Sequence, residues 1–452
     1  MRALQTHTIY LIGIGGIGMS ALARYFKQQG KEVSGYDRTE SALSRQLEEE
    51  GINIHYTDDP AYIPCDAGLV VYTPAIPASN RELAYCREVG MNVMKRAEVL
   101  GLIAESFKTI AIAGTHGKTS ISSMIAHIMH HNAYAITAMI GGIMNNYDSN
   151  MLRTEKSKYL IAEADEYDRS FLKLNPFISV VSAVAADHLD IYGSLDNMKA
   201  SFSGFISQTH KTGKVILHES VNEMLKANMR PLIYGRGSEA DVRIEHVEVA
   251  EHHYHFILVS GAEQISIKML VPGMHNVENA TAAAAVCLQI GMSLDEIREG
   301  LESYRGVQRR FEYILDDPSG CIFIDDYAHH PDEIRACIAT ARELYPDKKL
   351  TGVFQPHLYS RTRDFAGEFA KALEQLDELI LLDIYPARED PIEGINAQMI
   401  LKLVNMLNKS VCSKEKLPSI LKHKKPEVLL TMGAGDIDNL VEPIKKELIV
   451  TC

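Results

Sequence analysis

A glycine-rich segment near the amino terminus has the residue types and spacing of a diphosphate-binding turn. Residues 13–18 satisfy the pattern G-x-G-x-x-G. Glycines let the backbone approach a diphosphate, and the free amides at the start of the next helix attract its charge. Asp37 ends the following predicted strand, about where dinucleotide-binding folds place a ribose-binding acid. The segment leaves three alternatives open: NAD or FAD, another diphosphate such as a nucleotide sugar, or a turn without a ligand.

A second glycine loop has the chemistry of a site for nucleotide phosphates. It has the sequence Gly114-Thr115-His116-Gly117-Lys118-Thr119 and ends as a P-loop does. We expect Lys118 to neutralise the β- and γ-phosphates and the Thr119 hydroxyl to reach magnesium. The loop is shorter than the common P-loop, because Ile112 stands where the first glycine belongs. Two phosphate loops favour a nucleotide-dependent reaction on a nucleotide-linked substrate, since a dehydrogenase needs only the first.

Acidic residues and a histidine follow two later predicted strands. The segment Glu163-Ala164-Asp165-Glu166 comes directly after one strand, and Asp187-His188 follows the next. The carboxyl ends of parallel strands face the ligand crevice, so one carboxylate is expected to bind magnesium, with the imidazole as a second ligand. A solvated acidic turn and a structural histidine are the alternatives. Lys199 is predicted to lie on a helix, where most lysines are surface residues.

Length and composition bound the kind of protein that carries these loops. The chain has 452 residues, which predicts two to four domains, and a net charge of −13, which argues against general nucleic-acid binding. Its seven cysteines are odd in number and scattered, so we expect no disulfide framework and a reducing cytoplasm. We also expect no signal peptide and no membrane insertion, because no uncharged stretch reaches the roughly 18 apolar residues that a span requires.

Alternating strands and helices must position the two loops. Strands at residues 7–12, 32–36 and 67–72 alternate with helical patterns, and another strand at 110–113 leads into the second loop and a helix over 119–130. This alternation predicts parallel sheets with helices on their faces. Antiparallel strands are expected over 242–270, and a helix over 279–290. The fold class is therefore α/β in three domains, which we place at residues 1–105, 106–308 and 309–452.

These residues together resemble the Mur ligase family, the enzymes that build cytoplasmic precursors of bacterial peptidoglycan. The resemblance covers nearly the whole chain, and the order of its motifs is more specific than any one of them. Besides both loops, the acidic segment and Asp187-His188, it includes Tyr72-Thr73-Pro74-Ala75-Ile76, His275-Asn276-Val277-Glu278-Asn279, Arg309-Arg310-Phe311-Glu312, Asp325-Asp326-Tyr327-Ala328-His329-His330-Pro331 and Phe354-Gln355-Pro356-His357. It implies a Rossmann-like domain for a UDP-sugar, a central P-loop-type domain for ATP, and a Rossmann-like third domain that completes the site.

The resemblance also implies a role for each matching position. It implies that Lys118, Glu163 and His188 are catalytic, and that Thr119, Glu163 and His188 bind or organise Mg²⁺. The implied ATP-binding residues are Gly114, Thr115, His116, Gly117, Lys118, Thr119, Asn276, Asn279, Arg310 and Asp326. The implied UDP-sugar residues are Gly13, Gly15, Gly16, Ile17, Gly18, Asp37 and Thr73. The implied amino-acid side comprises Tyr327, His329 and Arg361.

The implied reaction is the ATP-dependent addition of L-alanine to UDP-N-acetylmuramate through an acyl phosphate. Two departures from the family pattern bear on it: Leu358 stands where several relatives have arginine, and Ser120 replaces a common threonine. The alternatives are a ligase that adds a whole tripeptide to the same UDP-sugar, an NAD-dependent dehydrogenase, and a UDP-sugar sensor with a degenerate ATP site. The role of Lys199, the selectivity for alanine over glycine or serine and the oligomeric state stay open.

Overall fold

The computed structural model describes residues 2–185, 189–317, 320–387 and 389–449. The chain forms two compact units. The first comprises Met1–His246, Phe256–Ile267 and Glu278–Arg305, and the second comprises Val247–His255, Lys268–Val277 and Gly306–Cys452. Among the described residues there are three sheets, and the expected α/β class in three domains is confirmed.

The amino-terminal sheet has five parallel strands in the order β3-β2-β1-β4-β5. This is the strand order of a dinucleotide-binding fold, and its switch point lies where β1 meets β4. The strands are β1 (Thr8–Ile12), β2 (Glu32–Tyr36), β3 (Asn53–His55), β4 (Leu69–Tyr72) and β5 (Val93–Lys95), and the helices are α1 (Ile17–Gln28), α2 (Ala42–Glu49), α3 (Arg81–Glu88) and α4 (Arg96–Ala104).

The middle of the chain forms a ten-stranded sheet in the order β15-β14-β13-β12-β11-β10-β6-β9-β7-β8. Its strands are β6 (Lys108–Ala113), β7 (Ile136–Met144), β8 (Ser149–Arg153), β9 (Tyr159–Glu163), β10 (Ile178–Val181), β11 (Lys214–His218), β12 (Leu232–Gly235), β13 (Val242–Ala250), β14 (His253–Ser260) and β15 (Glu263–Met269). The helices are α5 (Lys118–His131), α6 (Leu189–Tyr192), α7 (Leu195–Ser207), α8 (Glu219–Asn222), α9 (Met274–Gln289) and α10 (Leu294–Ser303). Strand β6 is flanked by β9 and β10, and it is buried except at its first residue.

The third sheet has six strands in the order β16-β17-β21-β18-β19-β20, parallel except for the β16–β17 pair. The strands are β16 (Glu312–Asp316), β17 (Ile322–Asp326), β18 (Leu350–Phe354), β19 (Glu378–Leu381), β20 (Lys409–Val411) and β21 (Val428–Met432). The helices are α11 (Pro331–Leu344), α12 (Tyr359–Leu373), α13 (Ala397–Leu403), α14 (Leu417–Lys424) and α15 (Val441–Ile449).

Two features of the middle sheet differ from the sequence-based expectation. Helix α9 begins at Met274, five residues before the expected start, because Gly273 has a φ of 103° and its carbonyl accepts the amides of Asn276 and Val277. The antiparallel hairpin formed by β7 and β8 was not predicted. Its turn has the sequence Asn-Asn-Tyr-Asp at 145–148, a composition typical of turns.

Candidate functional site

The second glycine loop lies between β6 and α5 and is shaped by two glycines. Gly114 has a φ of 137° and Gly117 a φ of 85°, conformations that side chains disfavour. A Cβ on Gly114 would lie 2.2 Å from Ser182 Oγ, and one on Gly117 would lie 2.6 Å from Asn279 Oδ1. The loop therefore packs closely against its neighbours, with the amino terminus of α5 behind it as an anion-attracting end.

Residues of the segment after β10 hold the loop from behind. The amide of Thr115 donates to the carbonyl of Ala183 at 3.0 Å, and the Thr115 hydroxyl accepts the amide of Ala185 at 3.2 Å. The Ser182 hydroxyl donates to the His116 carbonyl at 2.5 Å. The backbone of the loop is thus fixed by hydrogen bonds, which is the preorganisation that phosphate binding requires.

Lys118, the first residue of α5, forms an ion pair with a buried acid. Its Nζ donates to both carboxylate oxygens of Glu166 at 2.8 Å and to the Gly114 carbonyl at 2.7 Å. Burial by itself lowers the pKa of Lys118, but the carboxylates of Glu166, Asp165 and Glu163 outweigh it and raise that pKa. The lysine is therefore a fixed positive charge in the loop.

Glu163 ends β9 beside the loop, because β6 and β9 are parallel with Ile112 opposite Glu163. Its Oε1 accepts the Gly141 amide at 2.6 Å and the Ser122 hydroxyl at 3.4 Å. A Cβ on Gly141 would lie 2.6 Å from Glu163 Oε2, so only glycine fits there without moving the carboxylate. Thr119 is the second residue of α5, and the predicted ligand His188 lies outside the described residues.

The first glycine loop uses several of its amides internally. The amides of Gly13 and Ile14 donate to the Tyr36 carbonyl, and the Gly15 amide donates to Asp37 Oδ2 at 2.8 Å. Asp37 therefore shapes the loop directly. The amides of Ile17 and Gly18 lie in the first turn of α1, where helix amides have no intrahelical partner. They are therefore the amides of this loop that are suited to bind an anion.

A cavity of about 340 Å³ connects the start of α1 with the acids after β9. Its lining from the amino-terminal sheet and helices is Gly16, Ile17, Gly18, Met19, Ala21, Leu22, Thr73, Ala75, Arg96 and Leu100. From the ten-stranded sheet and the segment after β9 come Met139, Ile140, Gly141, Glu163 and Asp165. The predicted UDP-sugar residues Gly16, Ile17, Gly18 and Thr73 thus share one cavity with the predicted metal ligand Glu163.

The second unit gathers the predicted residues Asp326, Arg310 and Tyr327. Asp326 accepts the amides of Phe311 and Ala328, each at 2.7 Å. Burial raises the pKa of Asp326 to about 6, against the opposing charge of Arg310. The Arg310 guanidinium lies 5.2 Å from the centre of the Tyr327 ring, within range of a cation–π contact.

His329 lies beside Tyr327, with their ring centres 5.2 Å apart. Burial lowers the pKa of His329, Glu333 opposes that change, and the charge of Arg361 adds to it. Leu358, the position of the family departure, precedes α12 with a φ of 71°, a left-handed conformation that is unusual for leucine. Tyr327, His329 and Arg361 therefore belong to one neighbourhood of this unit.

Sequence profiles of the Mur ligases match nearly the whole chain in three consecutive pieces. The profile described as "Mur ligase family, catalytic domain" matches residues 8–108, "Mur ligase middle domain" matches 112–287, and "Mur ligase, glutamate ligase domain" matches 309–435. The chain belongs to the Mur ligase family. The family resemblance expected from the ordered motifs is thereby confirmed.

Relatives within the Mur ligase family are similar over their full length. The UDP-N-acetylmuramate–L-alanine ligase of Cytophaga hutchinsonii is 46% identical, with 98% of this chain and 97% of the relative aligned. That of Flavobacterium psychrophilum is 45% identical, with 99% of each aligned. The crystal structure of the UDP-N-acetylmuramate–alanine ligase from Thermotoga maritima superposes with a TM-score of 0.86 at 28% identity, covering 98% of this chain and 100% of that one.

A murein peptide ligase from Psychrobacter arcticus shares the Mur ligase fold at a lower level. Its crystal structure superposes with a TM-score of 0.72 at 21% identity, covering 98% of each chain. This likeness concerns the fold alone. Across the part of the chain that the structure describes, no helix is both long and apolar enough to cross a bilayer.

Three residues of the site were missed by sequence analysis of this Mur ligase. Glu166 has no predicted role of its own within the acidic segment, Arg96 belongs to none of the motifs, and Gly141 lies in the hairpin that was not predicted. The position of Glu166 in the acidic segment after β9 was a signal for it, but no local sequence pattern pointed to Arg96 or Gly141.

Lys199, on α7, pairs with the exposed Asp196 at 3.7 Å, and Asn276 donates to the Pro272 carbonyl at 2.7 Å.

Proposed function

We propose that this chain joins L-alanine to UDP-N-acetylmuramate at the expense of ATP, through an acyl-phosphate intermediate. Relatives that align over nearly their full length at 45% and 46% identity are named UDP-N-acetylmuramate–L-alanine ligase. The structural observation that carries the proposal is the cavity between the first turn of α1 and Glu163. In the proposal, the diphosphate of the substrate binds at the α1 end of this cavity, and its carboxylate is phosphorylated at the Glu163 end. An NAD-dependent dehydrogenase leaves the second loop unexplained, and the charged Lys118 argues against a degenerate ATP site.

The second glycine loop binds the ATP phosphates in this proposal. Its residues Gly114, Thr115, His116, Gly117, Lys118 and Thr119 supply amides, one cation and one hydroxyl. Asn279, which packs on Gly117, supports the loop. Asn276, Arg310 and Asp326 are the further nucleotide residues of the proposal. Because Lys118 is held charged by its carboxylate neighbours, it offsets the charge that moves during phosphoryl transfer.

The proposed metal is Mg²⁺, and the oxygen atoms beside the second glycine loop match the ligands that it prefers. The described residues contain no group of three or more histidine, cysteine, aspartate or glutamate side chains arranged to hold a metal. Magnesium does not need one, because it keeps several waters and binds through one or two carboxylates together with substrate phosphates. Glu163 and the Thr119 hydroxyl offer such oxygen ligands, with His188 as the third predicted ligand. When bound, the metal neutralises charge on the phosphates.

The first step of the reaction is phosphoryl transfer from ATP. An oxygen of the lactyl carboxylate attacks the γ-phosphorus, the bond to the β-phosphate oxygen breaks, and ADP and the acyl phosphate form. Lys118 and the amides of the second loop hold the phosphates in line for this attack. The apolar cavity walls from Met139, Ile140 and Leu100 limit the water that reaches the acyl phosphate.

The second step forms the amide bond. The amine of L-alanine attacks the acyl carbon, a tetrahedral intermediate forms, and phosphate leaves as the carbon–oxygen bond breaks and the nitrogen loses a proton. Tyr327, His329 and Arg361 are the proposed amino-acid residues. Burial lowers the pKa of His329, so a neutral imidazole is available there as a proton acceptor near neutral pH.

The UDP-sugar occupies the amino-terminal sheet in this proposal. The first glycine loop and its neighbours bind the UDP moiety, and Arg96 joins them because it lines the cavity beside Gly18. The residues are Gly13, Gly15, Gly16, Ile17, Gly18, Asp37, Thr73 and Arg96. The proposed domain boundaries are 1–105, 106–308 and 309–452, and the proposed setting is cytoplasmic peptidoglycan precursor synthesis.

A tripeptide-adding ligase for the same UDP-sugar is the nearest alternative, and competition separates the two. Purified protein is given ATP, Mg²⁺, UDP-N-acetylmuramate and equal concentrations of L-alanine and the tripeptide, with glycine and L-serine in parallel reactions. The products are separated by mass. We expect the alanine adduct to dominate, and a dominant tripeptide adduct would replace the proposed substrate.

A further inference from the structure

The β7–β8 hairpin touches the first turn of α1 through one buried amide. Asn150, on β8, has no exposed surface. Its Nδ2 donates to the Ile17 carbonyl at 2.7 Å and to the Ser20 hydroxyl at 2.9 Å, and its Oδ1 accepts from Arg24 Nη1 at 2.5 Å. These three side-chain hydrogen bonds of Asn150 are therefore all made to residues of α1.

Arg24 extends this contact into a polar network that runs from a buried centre to the half-buried Gln46 and the exposed Glu50. The residue is only 3% exposed, and its Nε and Nη2 both donate to the carboxylate of Glu50, the Nη2–Oε1 distance being 2.7 Å. Gln46 accepts a further bond from Arg24 and donates to the carbonyl of Asp148 in the hairpin turn at 3.1 Å. Arg24 and Asn150, the buried members of this network, both have hydrogen-bond partners, and such pairing holds the hairpin against α1 and α2.

The other strand of the same hairpin positions the acid of the site. Strand β7 pairs with β8 through Met139 opposite Met151, next to Asn150. Two residues further along β7, the Gly141 amide donates to Glu163 Oε1 at 2.6 Å. The hairpin thus contacts the cavity at both ends, with Ile17 at one and Glu163 at the other.

We propose that Asn150 is a positioning residue that sets the distance between the diphosphate-binding turn of α1 and strand β7. A substrate that spans the cavity must bind its diphosphate at α1 while its carboxylate reaches the phosphoryl-transfer end. When the two walls of the cavity are already fixed, less conformational entropy is lost as the substrate binds. This inference rests on the proposed function, and Asn150 itself touches no reacting atom.

The hairpin offers a matched control at Asn146. The Asn146 side chain also makes two bonds, donating to the Ser303 carbonyl at 2.9 Å and accepting the Arg305 amide at 2.8 Å, and both partners lie at or just after the end of α10. Steady-state kinetics of Asn150→Ala and Asn146→Ala are compared with the parent protein. Loss of the three side-chain hydrogen bonds of Asn150 predicts a rise in KM for UDP-N-acetylmuramate of about tenfold in Asn150→Ala, with KM for ATP within about twofold.

Asn146→Ala is expected to leave both constants within about twofold of the parent. The proposal is overturned if Asn150→Ala keeps the parent's KM for the UDP-sugar, or if it raises both KM values equally. Should Asn150→Ala fail to fold, Asn150→Asp decides: it keeps an oxygen toward Arg24 and turns a second oxygen toward the Ile17 carbonyl. We expect the same selective rise in KM, and an unchanged KM in the folded variant contradicts us.

Calorimetric binding of UDP-N-acetylmuramate in the absence of ATP separates this inference from the proposed function. If the parent protein binds the UDP-sugar but forms no alanine adduct, the proposed function fails, and weaker binding to the Asn150 variants still supports the positioning role. If the parent forms the adduct and the variants bind the UDP-sugar as tightly as it does, only the positioning role fails.

Discussion

Both carboxylate oxygens of Glu166 lie 2.8 Å from Nζ of Lys118, so the lysine of the second glycine loop forms an ion pair with a buried acid. Glu166 is 2% exposed, and burial raises its pKa although the lysine opposes this. The pair explains how a lysine surrounded by protein stays protonated. In the proposed function, the pair places Glu166 beside the loop that binds the ATP phosphates.

Replacing Glu166 is expected to change the pH dependence of the enzyme. The raised pKa of Lys118 keeps the lysine charged as the pH rises, and without the acid the lowering effect of burial dominates. In Glu166→Gln we therefore expect the alkaline fall in kcat/KM for ATP to begin at a lower pH than in the parent protein. Profiles from pH 7 to 10 measure this, with the exposed Glu155→Gln as control. Superimposable profiles for Glu166→Gln and the parent contradict the pairing.

Removing the lysine is expected to abolish most of the activity. Lys118→Ala deletes a preorganised charge at the transferring phosphoryl group, which predicts a fall in kcat of about 10²- to 10³-fold or more. Lys211→Ala, in the exposed loop after α7, is the matched control and should retain the parent's rate. Circular dichroism confirms that both variants are folded. A folded Lys118→Ala protein with more than a third of the parent's kcat is incompatible with the proposed role.

A methyl group at Gly141 is expected to displace the carboxylate of Glu163. The added Cβ would lie within 2.7 Å of both carboxylate oxygens, so the acid must move away from its present position. We expect Gly141→Ala to lower kcat at least tenfold and to raise the Mg²⁺ concentration needed for half-maximal rate. Gly204→Ala, where the nearest atom is 3.7 Å away, serves as the control. An unaltered Mg²⁺ dependence in Gly141→Ala refutes the link between this amide and the metal.

A buried acid on helix α3 is expected to make stability depend on pH. Burial raises the pKa of Glu82 to about 7, and its side chain bonds to the Tyr10 hydroxyl at 2.7 Å. A carboxyl group whose pKa is raised by folding destabilises the fold as the pH rises from its unfolded value of 4.5 to about 7. Glu82→Gln should gain stability relative to the parent over that range, by roughly 1–3 kcal/mol at pH 8.

Urea unfolding at pH 5, 6, 7 and 8 measures the difference between the Glu82→Gln variant and the parent. The exposed Glu88→Gln on the same helix controls for net charge. We expect the difference to grow up to about pH 7 and then to level off. A difference that is constant across the four pH values would show that Glu82 does not carry the raised pKa.

Local sequence patterns predicted the elements that carry the two glycine loops. Strand β2 lies at the expected residues, and β6 and α5 begin within two residues of expectation. Buried parallel strands have continuous apolar runs, and glycine loops mark the turns that follow them, so this information is local. The family assignment drew on the order of many such local motifs.

Contacts between distant segments were beyond reach of the sequence. The pairing of Glu166 with Lys118 joins residues 48 positions apart, and the bond between Asn150 and Ile17 joins residues 133 apart. A single sequence shows which residues can pair, but the fold decides which do. Strand β8 has few of the apolar residues that signal a strand, so the hairpin that links both ends of the cavity had no local pattern to predict it.

Alanine-dependent formation of product is the most direct test of whether this chain joins L-alanine to UDP-N-acetylmuramate. Purified protein is incubated with ATP, Mg²⁺ and UDP-N-acetylmuramate, with and without L-alanine, and phosphate release is followed together with the mass of the UDP-sugar. We predict one phosphate for each UDP-N-acetylmuramoyl-L-alanine formed, and no adduct without ATP. Phosphate release that is independent of L-alanine, or a UDP-sugar of unchanged mass, would contradict this prediction.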